Sequence, residues 1–241
     1  MLVWVASYPR SGNALTMLAL QDIFGEPRIG TVTAGDLRLG EMRHELIPGG
    51  PAWSAPPELR ELRGGELLDA IRERPEPFFI KTHRLREASD PAPGLYIVRD
   101  GRDAIVSQAH FVKDQDVAAY RGFSFERRVA TLSHPGMRPY GDWSRNVLRW
   151  TRRRAAVAIL RFEDLLCDPA GVVARACEEI DVPLAPAAGQ MLSFSYLHER
   201  VPMLFRRGVV GAWHDEMPTQ LEDRFWRIHG KQMQALGYRR R

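Results

Sequence analysis

The sequence predicts a single α/β domain with a mostly parallel central sheet and helices on both faces of the sheet. The chain has 241 residues, of which 44% are hydrophobic, and this suits one large domain. Segments with helical periodicity separate four short apolar runs, each typical of a buried parallel strand: Leu2–Ala6, Phe78–Ile80, Leu95–Val98 and Val157–Leu160. Strands that alternate with helices form a parallel sheet. We find no internal repeat, so the predicted domain spans residues 1–241.

The segments between the first two strands follow from periodicity and from Gly and Pro content. A helix is predicted over residues 14–24, directly after the first loop. Residues 25–57 contain many Gly and Pro without a clear period, so we expect a long mobile excursion there. Apolar residues at Leu59, Leu62, Leu67, Leu68 and Ile71 then mark one further helix.

The second half of the chain is predicted to be mainly helical. A helix over residues 102–112 follows the third strand, and another contains Trp143, Val147 and Trp150 at helical spacing. After the fourth strand, we expect helices around a polar loop near residues 206–218.

Composition excludes several classes of protein. Because no window holds 18 consecutive apolar residues, a membrane-spanning helix is excluded. The first residues lack the basic opening and cleavage site of a signal peptide, which predicts a cytoplasmic protein. Cys167 and Cys177 have no metal-binding or redox spacing and are expected to be buried thiols. A formal net charge of only +4 argues against a polyanion-binding protein.

Basic side chains follow three of the four predicted strands, at the point where each strand ends. Arg10 follows the first strand, Lys81 and His83 follow the second, and Arg99 follows the third. In an open parallel sheet, ligands bind beyond the carboxyl ends of the strands. The sequence therefore predicts an anion-binding site at this edge.

The first loop, residues 7–13, has the outline of a phosphate cradle. A loop of small residues that opens a helix offers free backbone N–H groups and the positive end of the helix dipole to an anion. An ordinary turn and helix start would have the same pattern. No Lys-Ser/Thr pair follows Gly12, so this loop is not that of an ATP or GTP hydrolase.

Two further motifs carry groups suited to transfer chemistry. In an extended segment, residues i and i+2 point to the same side, so Lys81 and His83 are expected to face one cleft. A His can take a proton from a hydroxyl nucleophile, and a nearby cation can stabilise a leaving oxygen. Arg99 and Ser107 could hold a phosphate. A solvated Lys beside a structural His, and an ordinary helix start after Arg99, remain the alternatives.

Taken together, the motifs resemble those of the cytosolic-type sulfotransferases. These enzymes move a sulfuryl group from 3′-phosphoadenosine 5′-phosphosulfate (PAPS) to a hydroxyl or amine, leaving adenosine 3′,5′-bisphosphate (PAP). The resemblance spans residues 3–217 in the family's order, and it is carried by Tyr8–Gly12, Lys81–His83, Val98–Ser107, Phe162–Leu165 and Arg206–Gly211. It implies a P-loop-like loop that binds the phosphosulfate.

The resemblance also implies roles for individual residues. Arg10 would be the cation at the bridging and leaving oxygens, Lys81 would stabilise the sulfuryl group, and His83 would be the general base. The other residues implied in the donor site are Ser11, Gly12, Asn13 and Ala14 at the phosphosulfate, Arg99, Ser107, Arg206, Arg207 and Gly208 at the 3′-phosphate, and Phe162 and Tyr196 at the adenine. Trp143 and Trp150 resemble tryptophans on the acceptor side, with core packing as the alternative.

Several positions depart from the family's pattern. Arg10 stands where a Lys is usual, and residues 13–15, Asn-Ala-Leu, replace Thr-Thr-Trp. The adenine therefore lacks an indole to stack on, so Trp4 or another ring is expected to hold it. Ala212 stands where an Asp commonly follows the late loop. The family's C-terminal dimerisation signature is absent, which leaves the oligomeric state open.

We therefore expect metal-free, in-line sulfuryl transfer to an acceptor hydroxyl, with a nucleotide or small-molecule kinase as the alternative. A non-catalytic polyanion-binding protein is the less favoured second alternative. Acceptor specificity should lie in variable lid segments at about 25–57 and 114–145. Of the 34 basic residues only three are Lys, which points to a GC-rich bacterium and hence to a natural product, glycoside or other small molecule as the acceptor.

Overall fold

The structure, a computed structural model, describes residues 1–25, 29–33, 36–39, 56–136 and 138–240. Six strands form the sheet of this described part: β1 (Leu2–Ser7), β2 (Ile29–Thr33), β3 (Asp36–Leu39), β4 (Phe78–Thr82), β5 (Gly94–Val98) and β6 (Val157–Arg161). Their order is β3-β2-β4-β1-β5-β6. Each neighbouring pair is parallel except β2 and β3. The predicted α/β fold with a mostly parallel sheet is confirmed.

The register of the strands brings their carboxyl ends to one edge. Val5 of β1 pairs with Lys81 of β4, and Ser7 pairs with Ile97 of β5. The residues that follow these strands therefore meet, as the sequence predicts, and this edge carries the candidate site.

Helices cover both faces of the sheet. Those in the described residues are α1 (Asn13–Asp22), α2 (Pro57–Arg60), α3 (Gly64–Arg72), α4 (Gly101–Asp114), α5 (Phe125–Ser133), α6 (Trp143–Thr151), α7 (Phe162–Cys167), α8 (Pro169–Glu179), α9 (Phe194–Arg200), α10 (Trp213–Glu216) and α11 (Thr219–Ala235). The single helix predicted over Leu59–Ile71 is two helices, because Gly64 has a left-handed φ of 50° that interrupts the helical path. None of these helices combines the length and apolar character required to span a bilayer.

Alternate side chains of β1 enter two hydrophobic cores. Leu2, Trp4 and Ala6 pack with residues of α4, α5, α6 and α11, whereas Val3 and Val5 pack with residues of α1 and α8. This alternation follows from the period of two along a strand. The sheet is thus buried on both faces, which accounts for the continuous apolar runs in the sequence.

The tryptophans and cysteines show where the sequence-based expectations need correction. Trp4, Trp143 and Trp150 are all fully buried in the first core, so Trp4 cannot hold adenine. The core-packing alternative therefore describes Trp143 and Trp150. Cys177 is buried as expected, but Cys167, at the end of α7, is exposed.

The segment over residues 25–57 contains more regular structure than its sequence predicts. Strands β2 and β3 lie within it, so the expected irregular excursion is wrong for these residues. Backbone pairing of β2 with β4 supplies an order that local periodicity does not reveal. Residues 26–28, 34–35 and 40–55 lie outside the described residues. The second predicted lid, about 114–145, contains α5, and its residue 137 is likewise outside them.

Candidate active site

A cavity of about 370 Å³ lies at the carboxyl edge of the sheet. It is bounded by the loop after β1, the end of β4, helix α4 and the segment 204–208. Most of the predicted site residues line it: Arg10, Gly12, Asn13, Ala14, Lys81, His83, Arg99, Ser107, Phe162, Arg206, Arg207 and Gly208. Residues from five distant parts of the chain therefore meet in one cavity.

Two predicted site residues do not line the cavity. Ser11 is only 1% exposed, and its hydroxyl is enclosed within the first loop. Tyr196 is half-buried on α9, with the guanidinium of Arg200 5.4 Å from its ring centre. Phe194, two residues earlier, lines the cavity instead. A helix that begins at Phe194 turns its first residue and its third to different sides, and the sequence does not show which side faces the site.

The first loop opens α1 toward the cavity. Gly12 has φ of 109°, and a Cβ atom there would lie 2.7 Å from the ring of Phe162, so glycine is required on both grounds. No side chain caps α1, and the first N–H groups of any α-helix lack partners within the helix. Since Gly12, Asn13 and Ala14 line the cavity, this helix N-terminus is suited to an anion.

Asn13 has a structural role beside its place in the cavity wall. Its Nδ2 donates to the carbonyl oxygen of Val5 at 3.0 Å and to that of Thr82 at 3.3 Å. The amide therefore joins β1 and β4, the two strands after which Arg10 and His83 follow. The sequence alone does not reveal this tie between the two strands.

His83 is held with one ring nitrogen available for proton transfer. Its Nδ1 lies 2.9 Å from the carbonyl oxygen of Ser7. Because a carbonyl only accepts hydrogen bonds, Nδ1 must carry the proton, and this leaves the lone pair on Nε2. Burial lowers the pKa of His83 to about 3, and the positive charges of Lys81 and Arg10 contribute to this decrease. The imidazole of His83 is therefore uncharged at pH 7.

Arg10 connects the first loop to α4 and to the late segment of the chain. Its Nε donates to the Ser107 hydroxyl at 3.2 Å, and its Nη2 donates to the carbonyl oxygens of Met203 and Leu204, each at 2.8 Å. Burial, together with the charges of Arg99 and Arg206, lowers the pKa of Arg10 to about 10. The guanidinium therefore stays charged at neutral pH. A lysine, with its single ammonium group, could not bridge the same partners in this planar geometry.

Arg99 is anchored in a similar way. Its Nη1 donates to the carbonyl oxygen of Arg10 at 3.1 Å, and Nη2 donates to that of Val209 at 3.2 Å. Its guanidinium lies 4.1 Å from the centre of the Phe162 ring. Nε is buried without a hydrogen-bond partner in the described part of the chain. Burial lowers the pKa of Arg99, so an anionic ligand would offset the cost of enclosing this charge.

The late segment, residues 203–216, folds over the cavity and is fixed by Asp103. The carboxylate of Asp103 accepts hydrogen bonds from the backbone N–H of Gly211 at 2.8 Å and of Trp213 at 2.9 Å. Gly208 has φ of 61°, and a Cβ atom there would lie 2.4 Å from the Phe194 ring. This close approach places the backbone of Gly208 against the aromatic wall of the cavity.

Sequence reasoning missed several residues that line the cavity. Phe194 and Leu166 contribute apolar surface, whereas Gln108, Phe111 and Tyr140 lie in or near the second lid segment. Leu15, which the sequence places where the family's Trp is usual, also lines the cavity. Phe111 is four positions after Ser107 on α4, so helical spacing from Ser107 could have indicated it. Gln108, the residue directly after Ser107, is turned to a different side of the helix, and this spacing does not indicate it. No comparable signal marks Tyr140. Among the described residues, no group of three or more His, Cys, Asp or Glu side chains could hold a metal ion.

Comparison with known proteins identifies the family. The family model for the sulfotransferase domain matches residues 2–237. A curated relative, the 3-alpha-hydroxysteroid sulfotransferase of Cavia porcellus, is 24% identical over 261 residues, covering 94% of this chain and 82% of the relative.

Two solved structures have a similar fold. Mouse sulfotransferase SULT7A1 complexed with PAP has a TM-score of 0.62 at 16% identity and covers 96% of this chain and 83% of its own. A retinol dehydratase in complex with retinol and PAP has a TM-score of 0.61 at 18% identity, and the match covers 96% of this chain and 81% of the dehydratase chain. The chain therefore belongs to the sulfotransferase domain family, and the predicted enzyme class, a sulfotransferase, is confirmed.

Proposed function

We propose that the protein transfers the sulfuryl group of PAPS directly to a hydroxyl of a small-molecule acceptor, with His83 as the general base. The observation that carries the proposal is the cavity itself. It combines an imidazole with a lone pair on Nε2, the cations Arg10 and Lys81, and a second group of arginines around Ser107. The imidazole, Arg10 and Lys81 are suited to proton transfer and to stabilising charge on the reacting atoms. The arginines around Ser107 are suited to binding a second phosphate away from those atoms.

The donor fits the polarity of the cavity. The open N-terminus of α1 would bind the 5′-phosphosulfate, while Arg99, Ser107 and the late segment would bind the 3′-phosphate. The adenine ring of the donor would lie at the apolar end of the cavity, between Leu15 and Phe194. The solved structures of similar fold that contain PAP support this donor.

In the proposed reaction, the acceptor oxygen attacks sulfur as its proton moves to Nε2 of His83. The new S–O bond forms while the bond between sulfur and the bridging phosphate oxygen breaks, and the electron pair stays on PAP. Arg10, Lys81 and the helix N-terminus stabilise the negative charge that develops on this oxygen. Nη1 of Arg10 has no hydrogen-bond partner among the described residues and is available for this purpose.

A small-molecule acceptor is supported by the relatives, whose names refer to a hydroxysteroid and to retinol. The cavity that contains His83 offers Phe111 and Tyr140 as aromatic surface for such a molecule. A natural product or glycoside remains our more specific prediction. We assign acceptor selection to the segments at about 25–57 and 114–145.

Thermal unfolding in the presence of nucleotides tests the donor site. A ligand at 100 times its Kd stabilises the folded state by about 2.7 kcal/mol. For a chain of this size, PAP should raise Tm by about 5–10 °C, whereas AMP and magnesium–ATP should not at the same concentration. A shift only with magnesium–ATP would favour a kinase, and no shift with any nucleotide would contradict the proposed donor. Sulfation of a panel of phenols and alcohols by labelled PAPS then tests the transfer.

A further inference from the structure

Glu216 joins three basic side chains beside the proposed 3′-phosphate site. Its Oε1 accepts hydrogen bonds from Nη2 of Arg206 at 2.8 Å and from Nη1 of Arg207 at 3.1 Å. Its Oε2 accepts from Nη1 of Arg206 at 3.0 Å and from Nε2 of His110 at 2.6 Å. These four hydrogen bonds occupy the four lone-pair positions that a carboxylate offers.

The orientation of these contacts leaves part of Arg206 available to a ligand. Both of its Nη groups bind Glu216 through the end of the guanidinium, while Nε is buried without a partner among the described residues. Arg206 and Arg207 line the cavity, but Glu216 does not. The carboxylate therefore lies behind the two arginines and fixes them without occupying the position of a ligand.

His110 connects this arrangement to the opposite wall of the site. It is three residues after Ser107 on α4, so it lies on the same side of that helix one turn later. Through His110 and Arg206, Glu216 joins the helix that carries Ser107 to the late segment. The backbone of the late segment has separate anchors at Arg10, Arg99 and Asp103. Those anchors fix the main chain, whereas Glu216 fixes the two side chains.

We propose that Glu216 is a positioning residue that holds Arg206 and Arg207 in the geometry required by a phosphate on the 3′ oxygen, and so makes the site selective for this regioisomer. The proposal rests on the proposed function, because it takes the bisphosphate of PAPS and PAP as the ligand. Asp215, 3.3 Å from Nη2 of Arg207, orients only one of the two arginines. Without Glu216, binding must first restrict two flexible side chains.

A carboxylate near a phosphate also repels it, so the test must separate position from charge. Adenosine 3′,5′-bisphosphate and adenosine 2′,5′-bisphosphate carry the same charge and differ only in which ribose oxygen bears the second phosphate. A change in net charge alters the Kd of both compounds by a similar factor. A change in arginine geometry alters mainly the Kd of the 3′,5′ isomer.

The experiment measures both Kd values by calorimetry for the wild type and for Glu216→Gln, His110→Ala and Glu179→Gln. Glu179 is exposed on α8, so its variant makes the same charge change away from the site. The measured quantity is the Kd for the 2′,5′ isomer divided by the Kd for the 3′,5′ isomer. In Glu216→Gln this ratio should fall about tenfold, because binding of the 3′,5′ isomer must then order the two freed arginine side chains. His110→Ala should lower the ratio less, and Glu179→Gln should leave it unchanged.

Each outcome decides one question. An unchanged ratio in Glu216→Gln, or equal weakening or strengthening of both isomers, would overturn the positioning role. A wild type that binds both isomers equally would overturn it as well. A wild type that binds neither isomer would instead contradict the proposed function. The Tm of each variant shows whether it is folded, and the kcat of Glu216→Gln at saturating PAPS should stay unchanged while KM for PAPS rises.

Discussion

Replacement of His83 by Ala should reduce kcat strongly while leaving donor binding intact. His83 contributes a neutral imidazole whose Nε2 is available, since Nδ1 donates to the Ser7 carbonyl oxygen at 2.9 Å. A positioned general base contributes about 10²–10⁴-fold to a rate. The structure favours the upper half of this range. The other titratable side chains that line the cavity among the described residues are Arg, Lys and Tyr, and none is a neutral base at pH 7.

The loss should therefore be about 10³–10⁴-fold, or about 4–5.5 kcal/mol of transition-state stabilisation. The assay compares kcat and KM for PAPS with the Kd for PAP. His134→Ala is the matched control, because His134 is exposed and its Nδ1 also lies near a carbonyl oxygen, that of Pro135. A decrease in kcat of less than tenfold would refute the role of His83 as base. Equal losses in kcat and in PAP affinity would indicate that His83 acts in donor binding.

Three further changes test other parts of the site. In an NMR titration of the free protein, His83 should remain neutral well below pH 6.5. Lys81→Gln should raise the pKa of His83, because a neighbouring positive charge is removed. Titration of His83 near pH 6.5 in the wild type would contradict this. Arg99→Met should weaken PAP binding about 10–150-fold, from the loss of a charge-assisted hydrogen bond worth about 1.5–3 kcal/mol, and unchanged calorimetric affinity would contradict the 3′-phosphate assignment. Gly208→Ala should displace the ring of Phe194 and raise KM for PAPS. An unchanged KM would show that this contact does not shape the adenine site.

The strand ends could be predicted because the relevant physics is local. Short apolar runs indicate buried strands, and parallel strands end at a common edge, so Arg10, Lys81, His83 and Arg99 were expected to meet. The structure brings all four to one cavity. The order of the motifs also indicated the sulfotransferase family, which the family model confirms.

What could not be predicted depends on contacts between distant segments. The strand tie by Asn13 requires the carbonyl groups of Val5 and Thr82 to be adjacent, which only the folded sheet provides. The choice of Phe194 over Tyr196 depends on how α9 is rotated against the site. Pairing of β2 with β4 likewise orders residues whose own sequence has no clear period.

The anchoring of the cations explains how one site can combine constant chemistry with a variable acceptor. Arg10 and Arg99 are fixed by backbone carbonyl oxygens of the first loop and the late segment, so their charges are oriented before any ligand binds. Charges that are oriented in advance stabilise a transition state without a reorganisation cost. Phe111 takes part in this arrangement, because the Arg10 guanidinium lies 4.9 Å from the centre of its ring. Tyr140 is in none of these anchors, and its carbonyl oxygen shares the Asn146 amide with that of His83. Substitutions at Tyr140 can therefore change which molecule is sulfated while the donor site and its transfer geometry are retained.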